Sequence, residues 1–439
     1  MPSTVDGDEE KRMTTTPRER SSRSSTPLTR RTLLASVAGI AATGSLVGCA
    51  GGKKTVLFHQ SKPEAVPYFR DLAVRFTESQ GDHRILHDIS TNLSASFVRN
   101  NPPDLGLLNY NLEMARFMER GALSDLSDLP AAGRIRESIV ELSQSYPQYP
   151  GRTSVIPYSA MAASVIYNKR IFEDNGIEVP RTWDAFIDIC ERLKGAGITP
   201  IYATFLDTWT IMQGWLDYPV GGMVDVAEFY RAMNQLGPDV RPDSEVSFSS
   251  VMLEPVRKMI ELTKYCNEDA QSRTYGDGNT AFANDQAAMI LQGPWAFGEF
   301  EKANKDQDLG TFPFPATNDP ADLKVRVNID LSLWVPDASD AKEGARQFLE
   351  FLMQPDIQHP YNAQFLGFGT TKDAPAVTDP RIIGMSEYYE KGQFYMGASQ
   401  FIPRNIPSYN YFQAIALGAD PEPVLAQLDR DWARLAFRD

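Results

Sequence analysis

The chain has 439 residues, 42% of them hydrophobic and 23% charged, which is more than one hydrophobic core usually supports and argues for two domains. Its 57 acidic against 43 basic side chains give a formal net charge of −14. So acidic a surface repels phosphate backbones, so nucleic acid is excluded as a partner.

Met1 to Thr29 hold Ser, Thr, Pro and charge, with too little apolar surface to offset the entropy of ordering. Arg30 and Arg31 then precede an apolar run from Leu33 to Val47, followed by Gly48 and Cys49. A charged start, a short apolar stretch and a small residue at the cut are the parts of a secretory signal. The run is shorter than the roughly 20 residues that cross a bilayer as a stable helix. Residues 1–48 are therefore expected to be a cleaved export signal. The Arg30–Arg31 pair resembles a twin-arginine signal. Leu46-Val47-Gly48-Cys49 resembles a bacterial lipobox, which implies acylation of Cys49 and a lipid anchor at the outer face of the cytoplasmic membrane, at the cell surface or in the periplasm. Each buried acyl methylene adds about 0.8 kcal/mol of membrane affinity. Cys190 falls in a helical pattern with Ile187, Ile189 and Leu193, so it is read as a buried thiol, and no disulfide with Cys266 is expected.

After Cys49 the pattern alternates. Thr55 to His59 reads as a strand and Pro67 to Ser79 as a helix with Phe69, Leu72, Ala73 and Phe76 on one face. Arg84 to Ile89 and Leu105 to Leu108 are the next strands, with a helix from Leu112 to Arg120. Val155 to Asn168 reads as an extended crossing segment, and Trp183 to Lys194 as an amphipathic helix capped by Thr182. Leu253 to Tyr265 and Asn279 to Asn284 are helical, Ala287 to Leu291 is a strand, and Lys342 to Met353 is a helix stopped by Pro355. Gly276-Asp277-Gly278-Asn279 is read as a loop and helix cap. This β-α order predicts mostly parallel sheets covered by helices, whose ligands bind beyond the carboxyl ends of the strands.

Four stretches in this order carry a resemblance: Ile166-Tyr167-Asn168-Lys169 with Pro180-Arg181-Thr182-Trp183-Asp184; Leu193 to Ile201; Ala287 to Phe297, with Gly293-Pro294-Trp295 at its centre; and Asn405-Ile406-Pro407 before an aromatic-rich helix. The chain resembles the solute-binding proteins of bacterial ABC importers, in the group that contains the maltodextrin-binding proteins. The resemblance implies an α/β, two-lobed periplasmic-binding-protein-like fold (type II) that closes on its ligand about a hinge. The N-lobe would comprise 49–157 and 332–378, and the C-lobe 158–331 and 379–439. It also implies a monomer that captures a sugar, an oligosaccharide first, or another polar small molecule, and passes it to the membrane subunits of a permease. No cofactor and no catalytic residue is implied.

Position by position, the resemblance places Trp295 where the family stacks an indole on sugar, Lys62 at the end of the first strand, and Asp207 and Trp209 among the contacts. Asn109, Tyr110 and Asn111 occupy a polar binding loop, with Gln60, Tyr158, Asp330 and Tyr409 nearby. The family's loop tryptophan is replaced by Leu108, an acidic contact by Met161, and the last stacking tryptophan by Gln413, beside Tyr409 and Tyr411. These residue types suit a sugar, since aromatic rings cover its CH faces and charged or amide groups take its hydroxyls. Each has a plainer reading: Trp295 as core packing, Asp207 as a cap on the helix after it, Tyr158 as hinge packing.

The four histidines lack metal-ligand spacing, and His83 and His87, bracketing a strand, are not expected to share a face. No nucleophile elbow or phosphate-cradling loop appears. Two further readings stand beside the sugar binder. One keeps the fold with a polyol or glycerol-phosphate ligand. The other is a secreted glycoside hydrolase, for which Asp207 with Glu64 or Asp330 is the carboxylate pair to examine.

Overall fold

The computed structural model describes residues 53–437. The expected signal 1–48, with Arg30 and Arg31, and the expected lipidation site Cys49 lie outside the described residues.

Among the described residues the strands are β1 (Lys54–His59), β2 (His83–Asp88), β3 (Leu105–Leu108), β4 (Ile156–Asn168), β5 (Ile201–Tyr202), β6 (Met289–Gln292), β7 (Leu309–Phe312), β8 (Val325–Trp334), β9 (Phe368–Gly369) and β10 (Phe394–Tyr395). β1 runs parallel to both β2 and β3. β5 runs parallel to β6, with Ile201 opposite Met289. These are the parallel cores expected from the alternating pattern. Two long strands join them: β3 pairs with β8 antiparallel, and β8 pairs with β4 from Ile156 to Ala163. The rest of β4, Ser164 to Asn168, lies between β6 and β7. The architecture is thus two α/β lobes with a shared pair of crossing strands, the expected two-lobed fold. The expected crossing segment Val155–Asn168 is the 13-residue strand Ile156–Asn168, whose side chains are buried on both faces except at Tyr167.

Apolar spacing explains the covering helices. Val66–Ser79 buries Phe69, Leu72, Ala73 and Phe76. Trp183–Gly195 starts at Thr182, whose hydroxyl accepts the N–H of Ala185, and buries Trp183, Phe186, Ile189, Cys190 and Leu193. Side chains of this size contribute about 1.5–3 kcal/mol each when fully buried. Cys190 and Cys266 are free thiols, and burial is the main cause that pushes both above the ordinary range, Cys266 to about 11.

Two expectations need correction. His83 and His87 lie on β2 four residues apart, which in a strand of period two is the same face. The 276–279 stretch is not a loop. The helix runs Tyr275–Ala283 and starts at Thr274, whose hydroxyl and the Asp277 carboxylate cap each other's backbone N–H groups.

One ion pair is wholly inside. Arg326 on β8 meets Asp217 at 2.7 Å, and both side chains are 0% exposed. Asp217 also accepts the backbone N–H and the hydroxyl of Ser399 at 2.8 Å. This network ties β8, the helix Asp217–Met223 and the 397–405 segment into one unit.

Candidate ligand-binding cleft

The expected site residues gather beyond four strand ends. β1 leads to Gln60, Lys62 and Glu64, and β3 leads to Asn109. β5 leads to Asp207 and Trp209, and β6 to Trp295. Parallel strands leave their carboxyl ends at a common edge, which is where α/β sheets bind ligands.

On the β1/β3 side the centre is Asp330. Its carboxylate accepts two hydrogen bonds from Lys62 Nζ, at 2.7 and 2.6 Å, and one from Asn109 Nδ2 at 3.2 Å. Glu64 stands 3.4 Å from the same ammonium. Burial works against a charged Lys62, but Asp330 and Glu64 outweigh it and hold the ammonium above its ordinary pKa. Gln60, two residues before Lys62, is fully buried, and among the described residues neither its amide atoms nor the hydroxyls of Tyr158 and Tyr361 have a partner. An unpartnered buried polar group costs about 1–3 kcal/mol, so each of these is a cost that the surrounding packing carries.

On the β5/β6 side two indoles are half-buried. Trp295 lies over Gly293, where a Cβ would strike its ring, and its indole N–H donates to Gln292 Oε1 at 3.1 Å. It is neither closed inside the core nor free to rotate. Trp209 meets Tyr275 edge to face, with ring centroids 4.9 Å apart. Asp207 accepts the backbone N–H of Tyr275 at 2.6 Å and does not cap the short turn that follows it. Burial is the main cause that pushes the Tyr275 phenol up to about 12; Asn279 acts against it, and the charges of Glu299 and Glu64 add to the rise. Glu64 comes from beyond β1, so the two groups of residues feel each other's field.

Asn111 and Tyr409 line a cavity of about 460 Å³ between the helix Leu112–Glu119 and residues 399–405, with Arg116, Gln400 and Arg404. Asn111 also caps that helix by accepting the N–H of Met114.

Tyr110 and Tyr158 are placed elsewhere than expected. Tyr110 is 4% exposed, donates its hydroxyl to Ser143 O at 2.9 Å and packs against Tyr146, so it is a core residue. Just past the end of β3, Asn109 is exposed while Tyr110 is buried. Tyr158 is 0% exposed among Phe69 and Tyr361, as the plainer hinge-packing reading of it has it. Sequence reasoning did not place Glu64 beside Lys62, nor Tyr275 and Asn279 beside Trp209. The Thr274-x-x-Asp277 capping pattern was the signal that could have placed Tyr275 at a helix start.

Two α/β lobes, crossing strands between them, and aromatic and carboxylate groups at the strand ends define a two-lobed solute-binding fold. The chain belongs to the bacterial extracellular solute-binding protein family, which matches residues 86–359, more than half its length. Among curated relatives, the multiple sugar-binding protein of Streptococcus mutans is 25% identical over 208 residues, 47% of this chain and 48% of that protein. The maltotriose-binding protein of Pyrococcus abyssi is 23% identical over 280 residues, 60% of this chain and 54% of that one. The chain thus spans about half the length of these relatives. Apo RafE of Streptococcus pneumoniae superposes with a TM-score of 0.74 at 17% identity, covering 87% of this chain and 98% of that one. RafE in complex with raffinose gives 0.72 at 18% identity, with 87% and 99% covered.

Proposed function

We propose that the chain is the ligand-capturing component of an ABC importer, which binds a carbohydrate, an oligosaccharide first, between its lobes and delivers it to a membrane permease. The lobes are 49–157 with 332–378, and 158–331 with 379–439. Export directed by Arg30 and Arg31 and acylation of Cys49 keep the protein at the membrane.

The observation that carries this reading is Trp295, half-buried at the end of β6 with its indole fixed by Gln292. A fixed, partly exposed indole offers a sugar's CH face a flat apolar surface at little entropic cost. Lys62, Asp330 and Asn109 supply charge-assisted donors and acceptors for the hydroxyls. Sugar binding by relatives named for multiple sugars and maltotriose, and by RafE with raffinose, supports the same class.

Asp330, Glu64 and Asp207 against the single ammonium of Lys62 argue against a phosphate-bearing ligand. The two carboxylates that a hydrolase would need are already engaged, Asp330 by Lys62 and Asp207 by the Tyr275 backbone N–H.

Isothermal titration against mono- and oligosaccharides tests the reading, with Trp295→Ala as the variant. Binding of at least one sugar, weakened about tenfold or more by the substitution, is expected. Silence across the panel, or an unchanged Kd in the variant, overturns it.

A further inference from the structure

Beside Trp209, the helix Tyr275–Ala283 begins at the edge that carries the proposed sugar site. Its start is pinned three ways. Thr274 and Asp277 cap it, Asp207 accepts the Tyr275 N–H at 2.6 Å, and Gly278 lies so close to the Thr204 side chain that a Cβ there would overlap it. That fixed backbone sets two side chains one turn apart on the same face, Tyr275 and Asn279. The Tyr275 ring is half-buried and extends the aromatic surface of Trp209, 4.9 Å away edge to face. Asn279 is only 4% exposed and its Oδ1 has no partner among the described residues. Asn279 stands near the Tyr275 phenol and acts against the rise that burial causes in it. A buried amide oxygen without a donor is a cost the fold does not need, since an apolar residue of similar size would remove it.

We infer that Tyr275 and Asn279 form a specificity-determining pair in the ligand site, with Tyr275 adding a second ring face beside Trp209 and Asn279 accepting one sugar hydroxyl. This rests on the proposed reading of the cleft as a sugar site. The pair divides the work. Ring contact with Tyr275 is tolerant of which hydroxyl is axial or equatorial. A bond to the Asn279 oxygen is not. A site built to bond a hydroxyl rejects the analogue that lacks it far more strongly than an apolar wall rejects an added group.

The experiment measures Kd by calorimetry for the wild type, Trp295→Ala, Tyr275→Ala, Tyr275→Phe and Asn279→Leu, against sugars that include epimers and deoxy analogues of whichever ligand binds. Melting temperature is recorded for each variant without sugar. Tyr275→Ala is expected to weaken all ligands by about tenfold, and Tyr275→Phe by less. Asn279→Leu is expected to erase the preference between the ligand and one deoxy analogue while its melting temperature stays equal or rises. If the wild type binds sugar and Trp295→Ala weakens it, but the Tyr275 and Asn279 variants keep the wild-type Kd and rank order, this inference is overturned and the site reading stands. If the wild type binds no sugar, the site reading itself falls.

Discussion

Single residues separate what pattern can tell from what only packing can. Lys62 and Asn109, just beyond strand ends, and Asp330, within β8, were named from the sequence, and they meet within hydrogen-bonding distance. The core role of Tyr110 was not legible, because a tyrosine serves equally as a sugar platform or as core with its hydroxyl on a carbonyl, and only the neighbouring Tyr146 decides. Asp217 and Arg326 gave no signal at all, being far apart in sequence and wholly buried in the fold. Removing one partner of such a pair leaves an uncompensated buried charge, so Asp217→Ala should destabilise by about 3–5 kcal/mol, measured by urea unfolding. Asp217→Asn with Arg326→Met should lose less than the sum of the single changes. His87 gives a pH dependence. Burial is the main cause that holds its imidazole below the ordinary pKa, although Nε2 meets Gln60 O at 2.8 Å. A base whose folded pKa is depressed binds protons more tightly when unfolded, so its stabilising effect is present above the unfolded value of about 6.5 and fades as pH falls below it. His359 is displaced the same way, also chiefly by burial. The melting temperature should therefore drop between about pH 7 and pH 5, and His87→Gln should flatten that drop.

At the scale of elements, periodicity located the long helices and strands well, since a face of Phe69, Leu72, Ala73 and Phe76 has one packing solution. It failed at the 275–283 helix, where two glycines and an aspartate read as a turn. There the cap and the contact with Thr204 outweigh the poor propensity of glycine. That cap carries an expected outcome: Thr274→Ala should cost about 1 kcal/mol in denaturant unfolding, and it should weaken sugar binding because Tyr275 loses its fixed start. A second irregular element follows Trp209. Ile211–Leu216 is a π-helical turn, and it buries Ile211, Met212, Trp215 and Leu216 while Trp209 stays half-buried. Such wide turns often stand next to functional sites. No short-range pattern announces one, so only the structure shows that Trp215 is core while Trp209 is not.

Across the whole molecule, the order of strands and helices fixed the class of fold, while the pairing of β4 with β8 came from contacts between residues far apart in the chain. Ligand that bridges both lobes should stabilise the folded form by about 2.7 kcal/mol at a hundredfold excess over Kd, seen as a raised melting temperature. It should also reduce the radius of gyration in solution scattering, and an unchanged radius with full occupancy would argue against lobe closure. The position of Asp330 gives that motion its character. Asp330 belongs to β8, one of the two strands that both lobes share. A hydroxyl caught by this carboxylate therefore grips the axle rather than the rim, where a small tilt of one strand swings distant loops through a large arc. Under the proposed function, capture and shutting would then be a single mechanical event, with no relay of side chains needed to carry the news between them.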